Sequence, residues 1–144
     1  MKKLTYRHAA AALLALTAPA YAEDLSVPTF TDETTTAGLS TTYGGNWEFV
    51  VGCGVATFDC SGDRKPEVFL SGGAGPSALY LNRSPVGGAL EFEKTDTVTM
   101  DKVTGAYPLD IDSDGVMDLV VLRNGPNNVL KGVGACKFED VTTA

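Results

Sequence analysis

Asp110-Ile111-Asp112-Ser113-Asp114-Gly115-Val116-Met117-Asp118 places four carboxylates within nine residues, and Leu119-Val120-Val121 follows at once. An acidic, glycine-bearing loop running straight into β-branched and aliphatic residues reads as a turn that feeds a buried strand. The stretch has an echo 51 residues upstream, Asp59-Cys60-Ser61-Gly62-Asp63-Arg64-Lys65-Pro66-Glu67, followed by Val68-Phe69-Leu70. At the same offset Gly54–Asp59 matches Gly105–Asp110, Pro66–Leu70 matches Met117–Val121, and Ser77-Ala78-Leu79 matches Asn128-Val129-Leu130. Phe92–Thr95 answers to Phe138–Thr142 at a slightly shorter offset. Self-similarity at a fixed period of this size is the mark of a repeat architecture.

Working outward, each unit reads strand, acidic loop, strand, Gly/Pro-rich turn, strand, loop, strand. The spacing predicts strands near 53–58, 67–71, 78–82 and 90–94, then near 104–109, 118–122, 128–132 and 137–141. Helix signals are nearly absent after the first 22 residues. The fold class is therefore all-β, and four short antiparallel strands per repeat predict β-propeller blades, one at about 53–95 and one at about 104–142. A β-sandwich built from the same strands is the alternative. Phe30-Thr31-Asp32-Glu33-Thr34 resembles Phe138–Thr142 and is expected to form the outer strand of a preceding blade. Two blades do not close a ring, so the chain is expected to be a fragment of a larger propeller. The remaining blades would be in cis or in another chain.

The amino terminus has its own logic. Met1-Lys2-Lys3 and Arg7 precede an apolar run from Ala9 to Leu16, and Ala20-Tyr21-Ala22 closes the segment before Glu23-Asp24. A basic start, a short apolar stretch and an A-x-A end predict a signal peptide over residues 1–22, cleaved after Ala22, with residues 23–144 as the repeat domain. The apolar run is too short to span a bilayer, so no membrane insertion is expected, and the location is periplasmic or secreted. Cleavage takes away Lys2, Lys3 and Arg7, leaving eight basic side chains against 18 acidic ones, a net charge near −10. Such a surface is a poor match for a phosphate backbone, so no nucleic-acid partner is expected. The sole histidine, His8, leaves with the leader. A chain without imidazole lacks Ser-His and Cys-His nucleophile pairs and the commonest general base, and no enzyme activity is expected.

An exported chain permits disulfides. Of Cys53, Cys60 and Cys136, the first two flank a predicted extended segment that would hold them roughly 20 Å apart at ~3.3 Å per residue. A bridge needs Cα atoms within about 7 Å, so Cys60–Cys136 is the expected pair.

Alternate carboxylates in one tight loop point at a common centre, and Gly115 lets the backbone reverse. Such groups repel by about 4 kcal/mol per pair at ~4 Å and an effective dielectric of 20, a cost that a bound cation removes. Oxygen-only donors on a flexible loop suit Ca²⁺, which takes six to eight oxygens at about 2.3–2.6 Å. An EF-hand also begins D-x-D-x-D-G, but needs Glu at the twelfth loop position and flanking helices. Counting from Asp110, that position is Val121, inside a strand run. The first loop keeps oxygen side chains at Asp59, Ser61, Asp63 and Glu67, with bulky Arg64 in place of Gly115. Two Ca²⁺ sites are expected, the second the stronger.

These repeats and loops resemble the FG-GAP/VCBS repeat family, whose blades occur in integrin α-subunit propellers and secreted bacterial proteins. Phe30–Thr34, Ala37-Gly38-Leu39, Gly54–Asp59 and Leu79-Tyr80-Leu81-Asn82 look more narrowly like bacterial relatives of cartilage acidic protein, in which blades often precede an ASPIC/UnbV module. The resemblance implies calcium at Asp110, Asp112, Asp114 and Asp118 with the carbonyl of Val116. For the first loop it implies Asp59, Ser61, Asp63 and Glu67 with the carbonyl of Lys65. It points to a non-enzymatic binding or adhesion protein with a protein or glycan ligand. Two rivals are the N-terminal part of a propeller enzyme and a carbohydrate-binding module using Trp47 and Tyr43. Gly73-Ala74-Gly75-Pro76-Ser77-Ala78 formally fits G-x-G-x-x-A, but Pro76 and the lack of a following helix make it a turn.

Overall fold

Short apolar runs bounded by Gly, Pro and Asp turns build two four-stranded sheets, and in Val55–Phe58 burial alternates, with Ala56 and Phe58 inside and Val55 and Thr57 outside. The computed structural model describes residues 27–143. The chain divides into Met1–Thr31 and Asp32–Ala144, and the two blades lie in the second unit. The predicted signal peptide lies outside the described residues. No helix among those residues is long and apolar enough to cross a membrane.

The first sheet comprises β1 (Val55–Phe58), β2 (Glu67–Leu70), β3 (Ala78–Asn82) and β4 (Phe92–Thr95). The second comprises β5 (Val103–Leu109), β6 (Asp118–Arg123), β7 (Asn128–Gly132) and β8 (Phe138–Asp140). Each sheet is a meander in chain order with every neighbour antiparallel. This is the propeller-blade arrangement, twice.

Ala56, Phe58, Phe69 and Leu79 of the first blade form one buried cluster with Val103, Ala106, Leu119, Val121 and Leu130 of the second. Each fully buried Phe or Leu contributes roughly 1.5–3 kcal/mol of transfer free energy. The innermost strands meet through backbone: the Gly54 amide donates to the Thr104 carbonyl at 3.1 Å. A Cβ at position 54 would lie 2.4 Å from the Gly105 Cα, so this approach requires glycine. Cys60 and Cys136 form a disulfide with Cα atoms 4.7 Å apart, tying the acidic loop of one blade to the β7–β8 turn of the next. Cys53 is free, exposed and left-handed at φ 85°, two residues before β1 begins.

Three expectations need correction. No strand runs through residues 30–34; Thr34–Gly38 is a turn. The Asp32 carboxylate accepts the Thr34 amide at 2.9 Å, and the Glu33 carbonyl accepts the amides of Thr36 and Ala37. Short polar side chains that bond their own backbone compete with a ladder, and here they win. Strand ends also shift: β4 begins at Phe92, β5 at Val103, and β8 stops at Asp140.

The third correction concerns register. Val68 faces Tyr80 across β2–β3, whereas its counterpart Leu119 faces Leu130 across β6–β7. Tyr80 is thus equivalent to Leu130, Leu81 to Lys131 and Asn82 to Gly132, one residue away from the overlay of the sequences. The β2–β3 turn carries the extra residue, and a one-residue slip would exchange the two faces of a strand. Tyr80 is fully buried. Its hydroxyl accepts the Ser40 amide at 3.2 Å and lies 2.7 Å from the Thr41 hydroxyl, so the chain before β1 lies over this side of the first blade.

Candidate metal centre

Both acidic loops join the innermost strand of a blade to the next strand, and they fold alike. Asp59 Oδ2 accepts the Arg64 amide at 2.8 Å, as Asp110 Oδ2 accepts the Gly115 amide at 3.0 Å. Asp63 Oδ1 accepts the Lys65 amide, and Asp114 Oδ1 the Val116 amide, each at 2.9 Å. Glu67 Oε2 accepts the Cys60 amide at 2.9 Å, and Asp118 Oδ2 the Ile111 amide at 2.8 Å. Each loop has two left-handed residues at matching places, Gly62 and Arg64 in the first, Ser113 and Gly115 in the second. The glycine has moved by two residues while the backbone path has not. Arg64 therefore does not distort the loop.

The two ends of each loop differ in burial. Asp118 and Glu67 are buried at the first position of β6 and β2, while Asp110, Asp112, Asp114 and Asp63 are exposed. Asp118 Oδ1 also accepts the Gly132 amide at 2.8 Å, which anchors the loop to β7. Carboxylate oxygens of Asp110, Asp112 and Asp118 lie within 4.8 Å of one another. Asp59, Asp63 and Glu67 do not converge this way; Glu67 instead groups with Cys60 and Cys136, whose sulfurs are already bonded to each other.

Lys131 on β7 is the residue that sequence reasoning missed. Its ammonium bonds Asp112 and also Asp114, the latter at 2.8 Å. That bond, reinforced by the Val116 amide, holds the Asp114 carboxyl below its ordinary value, and the bonds to Asp112 first and Asp114 second shift the Lys131 ammonium upward. In the first loop the Lys65 amide is the main cause that lowers Asp63. The signal for Lys131 was a lone cation in the otherwise apolar run Val129-Leu130-Lys131-Gly132.

The donor set fits a hard divalent cation. The three convergent carboxylates offer oxygen only, on a loop whose two ends are pinned by backbone hydrogen bonds. A cation already sits against Asp112 and Asp114 in the form of the Lys131 ammonium. Of the aromatic residues before β1, Phe49 is buried, Tyr43 is half-buried with its hydroxyl donated to the Phe49 carbonyl at 2.8 Å, and Trp47 is exposed. Glu91 and Glu93 both face solvent, and Glu93 pairs with Arg83 at 2.9 Å.

No curated protein and no solved structure gives a match to the chain. The model of the FG-GAP-like repeat family matches residues 59–142, from the first aspartate of the first loop to the end of the second blade. With more than half its length matched and two four-stranded blades in its fold, the chain belongs to the FG-GAP-like repeat family.

Proposed function

We propose that this is an exported, non-enzymatic β-propeller repeat protein that binds Ca²⁺ at both acidic loops and uses the scaffold to hold a protein or glycan ligand. The observation that carries the metal assignment is the convergence of Asp110, Asp112 and Asp118 at the foot of β6. In the first loop, Asp59, Ser61 and Asp63 would hold the ion together with Glu67. Val116 and Lys65 would add their carbonyls. A bound ion would offset carboxylate repulsion and lock each loop between its strands; its role is structural. The narrower likeness to bacterial relatives of cartilage acidic protein, and the leader over residues 1–22, support export.

Further blades, in cis or in another chain, are the partner that the sheet faces favour. Cys60 and Phe58 of the first blade are buried, whereas their counterparts Ile111 and Leu109 in the second are 52% and 50% exposed. Loops at the rim of such scaffolds vary freely and carry the ligand contacts.

The test is calorimetric titration with Ca²⁺ and thermal unfolding with and without chelator. Chelation is expected to lower the melting temperature. Asp114→Ala is expected to weaken the second site, and Asp63→Ala to have the smaller effect on total binding. An unchanged melting curve under chelation removes calcium from the account.

A further inference from the structure

We infer that Lys131 is a tethered counter-ion of the second acidic loop, which a divalent cation must displace, so that this one residue sets the affinity of that site. The inference rests on the calcium reading of the loop and adds its regulation. Lys131 projects from β7, 17 and 19 residues away from the carboxylates it meets, so the contact is a product of tertiary structure. Its ammonium touches Asp112, one of the three convergent carboxylates, and Asp114, the fourth acid of the loop.

The same side of β7 forms a shallow cavity of about 90 Å³, lined by Ile111, Asp112, Asp118, Val129, Lys131 and Val141. Val129, Ile111 and Val141 supply the apolar part of this lining, and the Lys131 ammonium reaches the carboxylates beside them. An ammonium and a Ca²⁺ ion cannot share Asp112 and Asp114 without repulsion between them. The cation entering the loop must therefore break both ion pairs.

The first loop has no such device. Leu81 occupies the place of Lys131, and among the described residues no lysine or arginine is paired with Asp59, Asp63 or Glu67. Nature thus supplies the control: one repeat with the tether and one without. The richer carboxylate set of the second loop is offset by its own lysine, and the two sites are brought closer in affinity than their acid counts imply.

The experiment compares the full chain carrying Lys131→Leu, the residue of the first repeat, with Lys131→Arg and the parent. All three are placed in an Asp63→Ala background so that the second loop dominates the titration. Ca²⁺ alone is the probe, followed by calorimetry and by melting with and without chelator. Two exposed ion pairs of ordinary strength predict a roughly five- to tenfold tighter Ca²⁺ site in Lys131→Leu, with Lys131→Arg near the parent. The calcium-induced rise in melting temperature should grow in Lys131→Leu, because the chelated form loses its counter-ion. A lysine that merely packs would lower both melting temperatures together and leave affinity unchanged, which would overturn the inference. So would weaker binding in Lys131→Leu. If none of the three proteins binds Ca²⁺ at millimolar concentration, the calcium reading itself fails, a result distinct from equal binding by all three.

Discussion

Arg64 illustrates how a backbone can be conserved across a repeat while its residues exchange roles. A non-glycine residue in the left-handed region costs roughly 1–2 kcal/mol, and Arg64 takes φ 67° where Gly115 takes φ 85°. Ser113 bears the same strain opposite Gly62. The Arg64 amide is held by the Asp59 carboxylate, as the Gly115 amide is held by Asp110, so the loop keeps this path with either residue. Replacing Arg64 with glycine relieves the strain but adds chain entropy to the unfolded state, which returns about 0.5–1 kcal/mol. Arg64→Gly is thus expected to stabilise the calcium-free protein by up to about 1 kcal/mol, read as a higher urea midpoint at constant slope. A lower midpoint would mean that the arginine side chain contributes something its exposed position does not suggest.

At the scale of elements, the outer strand β8 is only three residues long and depends on polar clamps as well as its ladder. The Asp140 carboxylate accepts the Thr142 hydroxyl and the Thr142 amide, the latter at 3.0 Å, and Asn128 Nδ2 at 2.9 Å from β7. The Thr142 hydroxyl is the first cause, its amide the second, that holds the Asp140 carboxyl below its ordinary 3.8. A carboxyl depressed in the folded state stabilises fully above its unfolded value and loses that contribution as pH falls through the folded one. The parent is therefore expected to exceed Asp140→Asn in stability at neutral pH, with the gap closing only below about pH 4. Denaturation midpoints of both proteins across the acid range check this; a gap independent of pH would assign the effect to shape alone. The strands themselves were legible because short apolar runs recur at a fixed period and Gly, Pro, Asn and Asp clusters mark their limits. The turn at Thr34–Gly38 was not, because Phe30–Thr34 has strand composition and the bonds to the Asp32 carboxylate and the Glu33 carbonyl divert it.

At the scale of the whole two-blade unit, a shared core and one covalent link across blades hold the described residues together. The Cys60–Cys136 bond closes a loop of 76 residues, and the chain-entropy model assigns such a closure about 4 kcal/mol. Reduction, or the double change Cys60→Ser with Cys136→Ser, is expected to lower stability by roughly that amount while the shared core keeps a single transition, read from denaturation midpoints. Peptide mapping without reductant should recover Cys60 and Cys136 together and leave Cys53 alkylatable. Recovery of Cys53 in a bridge would contradict the fold at the mouth of β1.

From the sequence alone came the all-β class, two repeats, their four strands, the loops that bear the acids and the pairing of Cys60 with Cys136. The strands and loops are readable because local period, turn chemistry and repetition are written along the chain, and the cysteine pair because an extended segment keeps Cys53 and Cys60 apart. Only the tertiary structure decided the β3 register, the burial of Glu67 and Asp118, and the arrival of Lys131 at the loop 17 residues before it. Each depends on which strand lies alongside another, and one extra residue in the β2–β3 turn was enough to change who faces whom. Side-chain contacts across strands follow from that alignment, which spacing along the chain does not encode.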